Sequence, residues 1–175
     1  AKRYNLDASM ALIDAAAQAG QCPRFVFASS IAVFGDPLPA VVDDATPLAP
    51  RMIYGAHKAM IEQWIDTQSR REAIAGLSLR LPGIVARPRG DAGLKSAFMS
   101  DVFHALKAGE AMTLPVSAEA TLWLISAAQV AANLAHALTI DATGAVTLPA
   151  QRLSMSALVS AIARATKADP ASVTY

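Results

Sequence analysis

The chain has 175 residues, of which 54% are hydrophobic and 17% are charged. Its 15 basic and 14 acidic residues give a net charge of +1, which excludes a broad basic surface for nucleic acid, and the hydrophobic share excludes a disordered chain. The single cysteine, Cys22, excludes an internal disulfide framework and favours a reducing compartment, so we predict a cytoplasmic protein.

Short apolar runs alternate along the chain with segments of helical composition, a pattern typical of an α/β fold with a parallel sheet. The predicted helices are residues 6–19, 54–72, 94–108, 127–138 and 154–167. The predicted strands are residues 24–28, 77–81, 111–114, 121–125 and 145–148. Residues 36–51 contain four prolines and are predicted to form a loop.

Residues 120–140 contain no Asp, Glu, Lys or Arg and are long enough to cross a bilayer. However, Gln129, Asn133 and His136 recur at spacings of four and three, which draws one polar stripe along a helix. The first residues of the chain also lack the apolar segment of a signal peptide. We therefore predict a half-buried helix and no membrane partner.

Tyr54 and Lys58 are the first candidates for chemistry. A spacing of four on a helix places both side chains on one face, one turn apart. A cation about 4 Å from a phenolate would favour its ionised form by roughly 4 kcal/mol at an effective dielectric constant of ~20. We therefore predict that Lys58 lowers the pKa of Tyr54 towards the range of a general base. The same spacing alone is also typical of a solvated surface pair.

The surroundings of this pair make the pattern more specific. The segments R-F-V-F-A-S-S-I-A-V-F-G (24–35), Y-G-A-H-K (54–58) and L-R-L-P (79–82) follow one another in the chain. In this order they resemble the NAD-dependent epimerase/dehydratase family, the extended short-chain dehydrogenases/reductases, and N-L-D-A-S (5–9) is similar to a helix start of that family. The resemblance implies a partial Rossmann-like, doubly wound parallel sheet with a small C-terminal substrate-binding region.

The resemblance also implies roles for single residues. Tyr54 would be the acid/base group, Lys58 would lower its pKa and hold the nicotinamide ribose, and Ser30 would position the reacting hydroxyl. The implied cofactor is NAD, with NADP not excluded. The residues implied to contact it are Ser29, Tyr54, Lys58, Leu81, Gly83 and Ile84. Asn5 would lie near the edge of the site.

One motif of the family, the glycine-rich dinucleotide loop G-x-x-G-x-x-G, is not found in the sequence. Gly90-Asp-Ala-Gly93 lacks the third glycine and does not follow the first strand of a βαβ unit. Because the family carries this loop before the segments that match here, we expect the chain to be part of a longer protein. Residues 1–82 would then be the C-terminal part of the dinucleotide-binding domain, and residues 83–175 a mixed substrate-binding region with returning Rossmann elements.

Departures from the family pattern indicate the substrate class. Ile31 and Ala32 stand where sugar dehydratases of the family have an Asp-Glu pair, which argues against dehydration. Gly83 stands where nucleotide-sugar enzymes typically have Asn. Residues from 79 onward resemble instead a subgroup that oxidises small sugar acids. This implies NAD(P)-dependent oxidation of the C2 hydroxyl of a D-erythronate-like acid to a 2-keto acid.

A sugar acid brings a carboxylate that needs a cation, and the planar guanidinium of Arg suits it. The candidates are Arg87, Arg89 and Lys95, and each of them fits a solvated loop charge equally well. Ser30 would contact the reacting hydroxyl of the same substrate.

Two other functions stay open: a nucleotide-sugar 4-epimerase of the same family, and a non-catalytic NAD(P)-binding sensor or scaffold. The three histidines and Cys22 show no metal-ligand spacing, so no metal is predicted. His57 is predicted to lie on the surface. The resemblance also implies a homodimer, in which the helices at 6–19 and 54–72 pair with their copies in a four-helix bundle.

Overall fold

The computed structural model describes residues 2–35, 37–43, 45–88 and 97–175. The α-helices are α1 (Ala8–Gln18), α2 (Ile53–Arg70), α3 (Phe98–Ala108), α4 (Ala127–Ala137) and α5 (Met155–Thr166). The strands are β1 (Arg24–Ser30), β2 (Ala75–Leu81), β3 (Gly83–Val85), β4 (Met112–Thr113), β5 (Thr121–Ser126), β6 (Gly144–Thr147), β7 (Gln151–Ser154) and β8 (Val173–Thr174). A π-helical turn at Arg3–Asp7 and 3-10 turns at Ile31–Phe34 and Pro170–Ser172 complete the regular structure of these ranges.

The chain folds into two compact units. The first unit consists of residues up to Leu81 together with Ala131–Leu148, and the second unit consists of Pro82–Val130 and Pro149–Tyr175. The first unit is therefore built from two segments that are distant in sequence.

The first unit contains a parallel sheet in the order β1-β2-β6. Ser29 pairs with Arg80, and Ser30 pairs with Leu81 at the carboxyl ends of β1 and β2. Helices α1 and α2 cover apolar side chains of this sheet, and each fully buried aliphatic or aromatic side chain contributes about 1.5–3 kcal/mol. This core consists of Leu6, Ile13, Phe27, Ile61, Ile65 and Ile74.

Helix α2 lies very close to β2 at Gly76. A Cβ atom there would lie 2.3 Å from Ile65 Cγ2 and 2.7 Å from Ser69 Oγ, so the position requires glycine. The Gly76 amide donates a hydrogen bond to Ser69 Oγ at 3.1 Å. The small residue thereby fixes how closely the helix approaches the sheet.

The second unit contains a sheet in the order β3-β5-β7 and the short pair β4-β8. Strands β3 and β5 are parallel, whereas β5 and β7 are antiparallel. Helix α5 begins after Ser154, an N-cap residue whose hydroxyl accepts a hydrogen bond from the Ala157 amide at 3.1 Å. The core of this unit consists of Val102, Leu106, Leu114, Leu124, Met155, Leu158, Val159, Ile162 and Val173.

The predicted α/β class with parallel strand pairing is confirmed. Strands β3 and β7 were not predicted, because β3 has only three residues after a proline and β7 begins with two polar side chains. Residues 120–140 form the end of a loop, β5 and then α4. Across the described ranges, no helix is both long enough and apolar enough to cross a membrane.

Candidate functional site

The first turn of α2 is held against the end of β1 by Gly55. A Cβ atom on Gly55 would lie 2.3 Å from the carbonyl oxygen of Ala32 and 3.1 Å from Pro50 Cβ. Only glycine permits this approach, which seats the start of α2 on the 3-10 turn that follows β1. Tyr54, the neighbour of Gly55, is thereby placed beside Ser30.

The structure brings together three predicted residues, Ser30, Tyr54 and Lys58. Lys58 Nζ donates a hydrogen bond to the carbonyl oxygen of Ala28 at 2.7 Å. The Ser30 side chain acts on the Tyr54 phenol as a hydrogen-bonding group that lowers its pKa. Both contacts join α2 to the carboxyl end of β1, where open parallel sheets bind their ligands.

A third contact, which the sequence did not predict, involves Glu62. Its carboxylate accepts a hydrogen bond from Ser29 Oγ and a two-pronged contact from Arg80, with Nη2 to Oε2 at 2.8 Å and Nε to Oε2 at 3.1 Å. The guanidinium carbon of Arg80 lies 5.0 Å from the ring centroid of Phe34, a cation–π contact. The side chains of Arg80 and Glu62 are only 12% and 4% exposed. Breaking such a buried pair by removing one partner costs about 3–5 kcal/mol.

The sequence contains a signal for this contact. Glu62 follows Lys58 at the same spacing of four that separates Lys58 from Tyr54. Its partner Arg80, however, is known only from the pairing of β1 with β2, which places Ser29 opposite Arg80.

The predicted lowering of the Tyr54 pKa is wrong for this structure. Burial penalises the phenolate and raises the pKa of Tyr54, and the hydrogen bond from Ser30 opposes this increase only in part. The Lys58 ammonium lies 5.6 Å from the Tyr54 ring centroid and donates to Ala28 instead of the phenol oxygen. Burial also lowers the pKa of Lys58, against the opposing attraction of Glu62.

Besides Tyr54 and Lys58 on α2, the residues implied to contact the cofactor lie in strands. In the first unit, Ser29 is buried and its hydroxyl is used by Glu62, and Leu81 ends β2. In the second unit, Gly83 and Ile84 pair with β5, and a Cβ atom on Gly83 would lie 2.9 Å from the carbonyl oxygen of Trp123.

Among the candidate cations, Arg87 is held by its neighbours in the second unit. Arg87 Nε and its amide donate to the buried Ser100 Oγ at 3.3 and 3.4 Å, and Ser100 Oγ donates to the Ile84 carbonyl at 3.3 Å. His104 Nε2 lies 2.7 Å from the Arg87 carbonyl oxygen and must donate to it. Arg89 and Lys95 lie outside the described residues.

The prediction that His57 lies on the surface is wrong. His57 is 8% exposed, and its Nδ1 has no hydrogen-bond partner in the part of the chain that the structure describes. At 100° per residue, a spacing of three places His57 only about 60° from Tyr54 around the helix. It therefore lies on the same broad buried face as Ile61.

Comparisons with known proteins bear on the whole chain. A sequence model of the NAD-dependent epimerase/dehydratase family matches residues 2–146. A D-erythronate dehydrogenase of Cupriavidus necator is 36% identical over 167 residues, covering 93% of this chain and 52% of that protein. A D-erythronate dehydrogenase of Haemophilus influenzae is 41% identical over 117 residues, covering 67% of this chain and 37% of that protein. The resemblance found in the sequence is thus confirmed.

Solved structures show the same fold. A nucleoside-diphosphate-sugar epimerase from Agrobacterium tumefaciens superposes with a TM-score of 0.90 at 31% identity, covering 98% of this chain and 53% of that chain. The chain spans about half the length or less of the curated relatives that it matches.

Proposed function

This chain belongs to the NAD-dependent epimerase/dehydratase family, and on that premise we propose that it is part of an oxidoreductase that acts on a small sugar acid. The substrate would be D-erythronate or a similar four-carbon acid, oxidised at its C2 hydroxyl to the 2-keto acid. The observation that carries this proposal is the assembly of Ser30, Tyr54 and Lys58 at the carboxyl end of β1. The names of the two curated relatives support the substrate class.

Tyr54 and Ser30 would act on the substrate hydroxyl. Because the two side chains lie beside each other, a substrate hydroxyl bound to both would accept a hydrogen bond from Ser30 and donate one to Tyr54. Tyr54 as phenolate would take the hydroxyl proton during oxidation, and as phenol would return it in the reverse direction. The raised pKa of Tyr54 means that its phenolate is formed mainly at alkaline pH.

Lys58 would hold the cofactor beside this pair. Its ammonium has three N–H donors and gives one to Ala28, which leaves donors suited to the hydroxyls of a ribose. Bound NAD would supply the hydride acceptor for the carbinol carbon. The backbone at Ser29 and Leu81, and at Gly83 and Ile84, would form the remaining contacts with it.

Arg87 would bind the substrate carboxylate. Because Nε donates to Ser100, the carboxylate would be bound by the terminal Nη1 and Nη2 groups, which can form two parallel hydrogen bonds to it. The buried Ser100 holds the side chain of this arginine and His104 holds its backbone carbonyl, which is more than a solvated loop charge requires. Arg89 and Lys95 remain further candidates by sequence.

The remaining parts of the proposal concern the whole protein. Residues 1–82 would complete a dinucleotide-binding domain, and residues 83–175 would contribute the substrate-binding region. Two copies would pair through α1 and α2, whose exposed apolar side chains include Leu12 at 65% and Met60 at 53% exposure. The protein would act in the cytoplasm.

A substrate screen of the full-length protein tests the proposal. Four- to six-carbon sugar acids are supplied with NAD or NADP, and the reduced cofactor is followed by its absorbance. We expect reduced cofactor in proportion to the 2-keto acid formed. Absence of reduced cofactor with every sugar acid, at a cofactor concentration that saturates binding, would contradict it.

A second candidate is a nucleotide-sugar 4-epimerase, which the likeness to the Agrobacterium structure favours. Gly83 and Ile31 argue against it, since nucleotide-sugar enzymes of the family typically have a different residue at the position of Gly83. An epimerase would return its cofactor to the starting state in each turnover. Interconversion of nucleotide sugars without net reduced cofactor would therefore select this candidate.

A further inference from the structure

We propose that Glu62 is a positioning residue that acts through Lys58: its buried carboxylate, anchored by Arg80 and Ser29, sets the place and the charge of the ammonium group one helical turn away. The inference rests on the proposed function for the role of Lys58. It adds to Tyr54 and Lys58, which would contact the ligands, a residue one turn further along α2 that would not contact them.

Helix α2 is attached to β1 at two adjacent points. Tyr54, Lys58 and Glu62 follow at intervals of four, so they share one face of α2. Lys58 contacts Ala28 of β1, and Glu62 contacts the next residue, Ser29. Two adjacent anchor points on the strand fix both the rotation of the helix and its position along β1. A helix so fixed presents Tyr54 to Ser30 without further adjustment.

The Glu62 carboxylate is itself held on both oxygens. Arg80 comes from β2, with Nε 3.2 Å from Oε1 and Nη2 2.8 Å from Oε2. A buried carboxylate needs such a compensating cation and filled hydrogen bonds. With Ser29 on one oxygen and Arg80 on both, the Glu62 carboxylate is held in one orientation.

Glu62 also acts on the charge of Lys58. Lys58 is half-buried, with the Phe27 ring centroid 4.4 Å from its Nζ, and this burial favours the neutral amine. Two ionisable neighbours of Lys58, Tyr54 and Glu62, lie on α2. Strand β1 contributes only the uncharged Phe27 ring and the Ala28 carbonyl, and Arg80 of β2 contacts Glu62. Of these groups, Glu62 acts to keep Lys58 protonated.

The test measures the protonation of Lys58 directly in the full-length protein. Lysines are labelled with trace acetic anhydride between about pH 7 and 11, where an ordinary lysine loses its proton. Peptide mass spectrometry then gives a midpoint for each lysine. The variants are Glu62→Gln, Glu62→Asp and the double variant Glu62→Gln with Arg80→Gln, which leaves no unpaired buried charge. Lys107, exposed on α3, is the internal control.

We expect the Lys58 midpoint to move to lower pH in Glu62→Gln and in the double variant, and Glu62→Asp to return it towards the wild-type value. The Lys107 midpoint stays unchanged in all variants. Circular dichroism and urea unfolding identify the folded variants, and the double variant is decisive if Glu62→Gln alone does not fold. An unchanged Lys58 midpoint in a folded variant without the Glu62 charge would overturn the proposal.

Kinetics supply the second readout. Loss of this anchor should lower kcat about 10- to 100-fold, since a displacement of about 1 Å at a reacting group has effects of this size, with a smaller change in KM. The decline of kcat at alkaline pH should begin at lower pH. If the wild-type protein oxidises no sugar acid while the Lys58 midpoint shifts as expected, the proposed function fails and the positioning role stands. If the wild-type enzyme is active and the Lys58 midpoint does not depend on Glu62, the positioning role fails and the proposed function stands.

Discussion

Lys58 donates a hydrogen bond from Nζ to the carbonyl oxygen of Ala28 at 2.7 Å, so the candidate ammonium is bound to the strand that also carries Ser30. This contact makes the distance between helix α2 and strand β1 part of the chemistry of the site. A change that moves α2 away from β1 by less than the length of one side chain would separate Tyr54 from Ser30. A substitution that disturbs the packing of α2 against β1 is therefore expected to change both the activity of the site and its dependence on pH.

Replacement of Tyr54 by Phe removes the proposed acid/base hydroxyl and keeps the ring. We expect the rate of sugar-acid oxidation to fall about 10²- to 10⁴-fold, the usual contribution of a positioned acid or base. The measurement is kcat/KM from reduced-cofactor absorbance in the full-length protein. Tyr4→Phe is the matched control, since Tyr4 is 75% exposed. A Tyr54→Phe variant that keeps most of its activity would show that another group takes the proton.

The rate of oxidation should rise with pH. Because burial raises the pKa of Tyr54 above its ordinary value of 10.0, its base form is scarce at neutral pH and becomes more abundant as pH rises. The logarithm of kcat/KM should therefore climb with a slope near one unit per pH unit from neutral pH until Lys58, whose pKa is lowered by burial, begins to lose its proton.

Ser30→Ala should shift this pH profile in a defined direction. The Ser30 hydrogen bond lowers the pKa of Tyr54, so its loss raises that pKa further and moves the rising limb to higher pH. Ser160→Ala, at an exposed position on α5, serves as the control and should leave the limb in place. A limb that moves to lower pH in Ser30→Ala would contradict this assignment.

Arg87→Ala should weaken binding of the sugar acid through its carboxylate. A hydrogen bond to a charged group contributes about 1.5–3 kcal/mol, so we expect KM to rise about 10- to 100-fold with a smaller change in kcat. Ser100→Ala loosens Arg87 without removing its charge, and should raise KM about 2- to 10-fold.

The control for Arg87 uses both a variant and a ligand. Arg164→Ala, at an exposed position on α5, should leave KM unchanged. Weak inhibition by the four-carbon polyol that lacks the carboxylate should be the same in wild type and Arg87→Ala. Equal losses for the acid and the polyol would mean that Arg87 supports the fold instead of binding a carboxylate.

Gly55→Ala should destabilise the protein although alanine is the better helix former. In an open helix this change would add about 1 kcal/mol of stability. Here the new Cβ would lie 2.3 Å from the Ala32 carbonyl oxygen, so α2 must move away from β1. We expect a net loss of about 1–3 kcal/mol in the free energy of unfolding by urea, together with lower activity.

Gln63→Ala is the matched control for this position. Gln63 is exposed on the same helix, so the change reports helix propensity without the steric conflict. It should alter stability by less than about 0.5 kcal/mol and leave activity intact. Equal effects of the two substitutions would mean that the close approach at Gly55 is relieved at no cost.

The parts of the site that depend on local spacing were predictable. Tyr54 and Lys58 lie four residues apart on a helix, so the sequence alone places their side chains on one face. Ser30 was recognised as the end of an apolar strand. The contacts of Glu62 with Arg80 and of Arg87 with Ser100 join residues 18 and 13 positions apart across different elements. Such pairs follow from strand register and helix placement, which local patterns do not specify.

The sign of the Tyr54 pKa shift shows a second limit. From spacing alone, the charge of Lys58 is the dominant influence on the phenol. In the folded chain, burial acts on both groups at once, and the ammonium is directed to the Ala28 carbonyl. The burial of His57 was not predicted for a related reason, since the width of the buried face of α2 depends on what packs against it.

The make-up of the first unit has a consequence for the order of events during folding. Strand β6 completes its sheet beside β2, and Arg24 at the start of β1 donates to the carbonyl oxygens of Ala137 and Ala142, 113 and 118 residues further along the chain. On the ribosome, the chain up to Leu81 therefore emerges with its sheet unfinished and waits for more than sixty further residues to be synthesised. Long-range closures of this kind slow folding, so we expect the first unit to reach its native state only after Leu148 has left the ribosome.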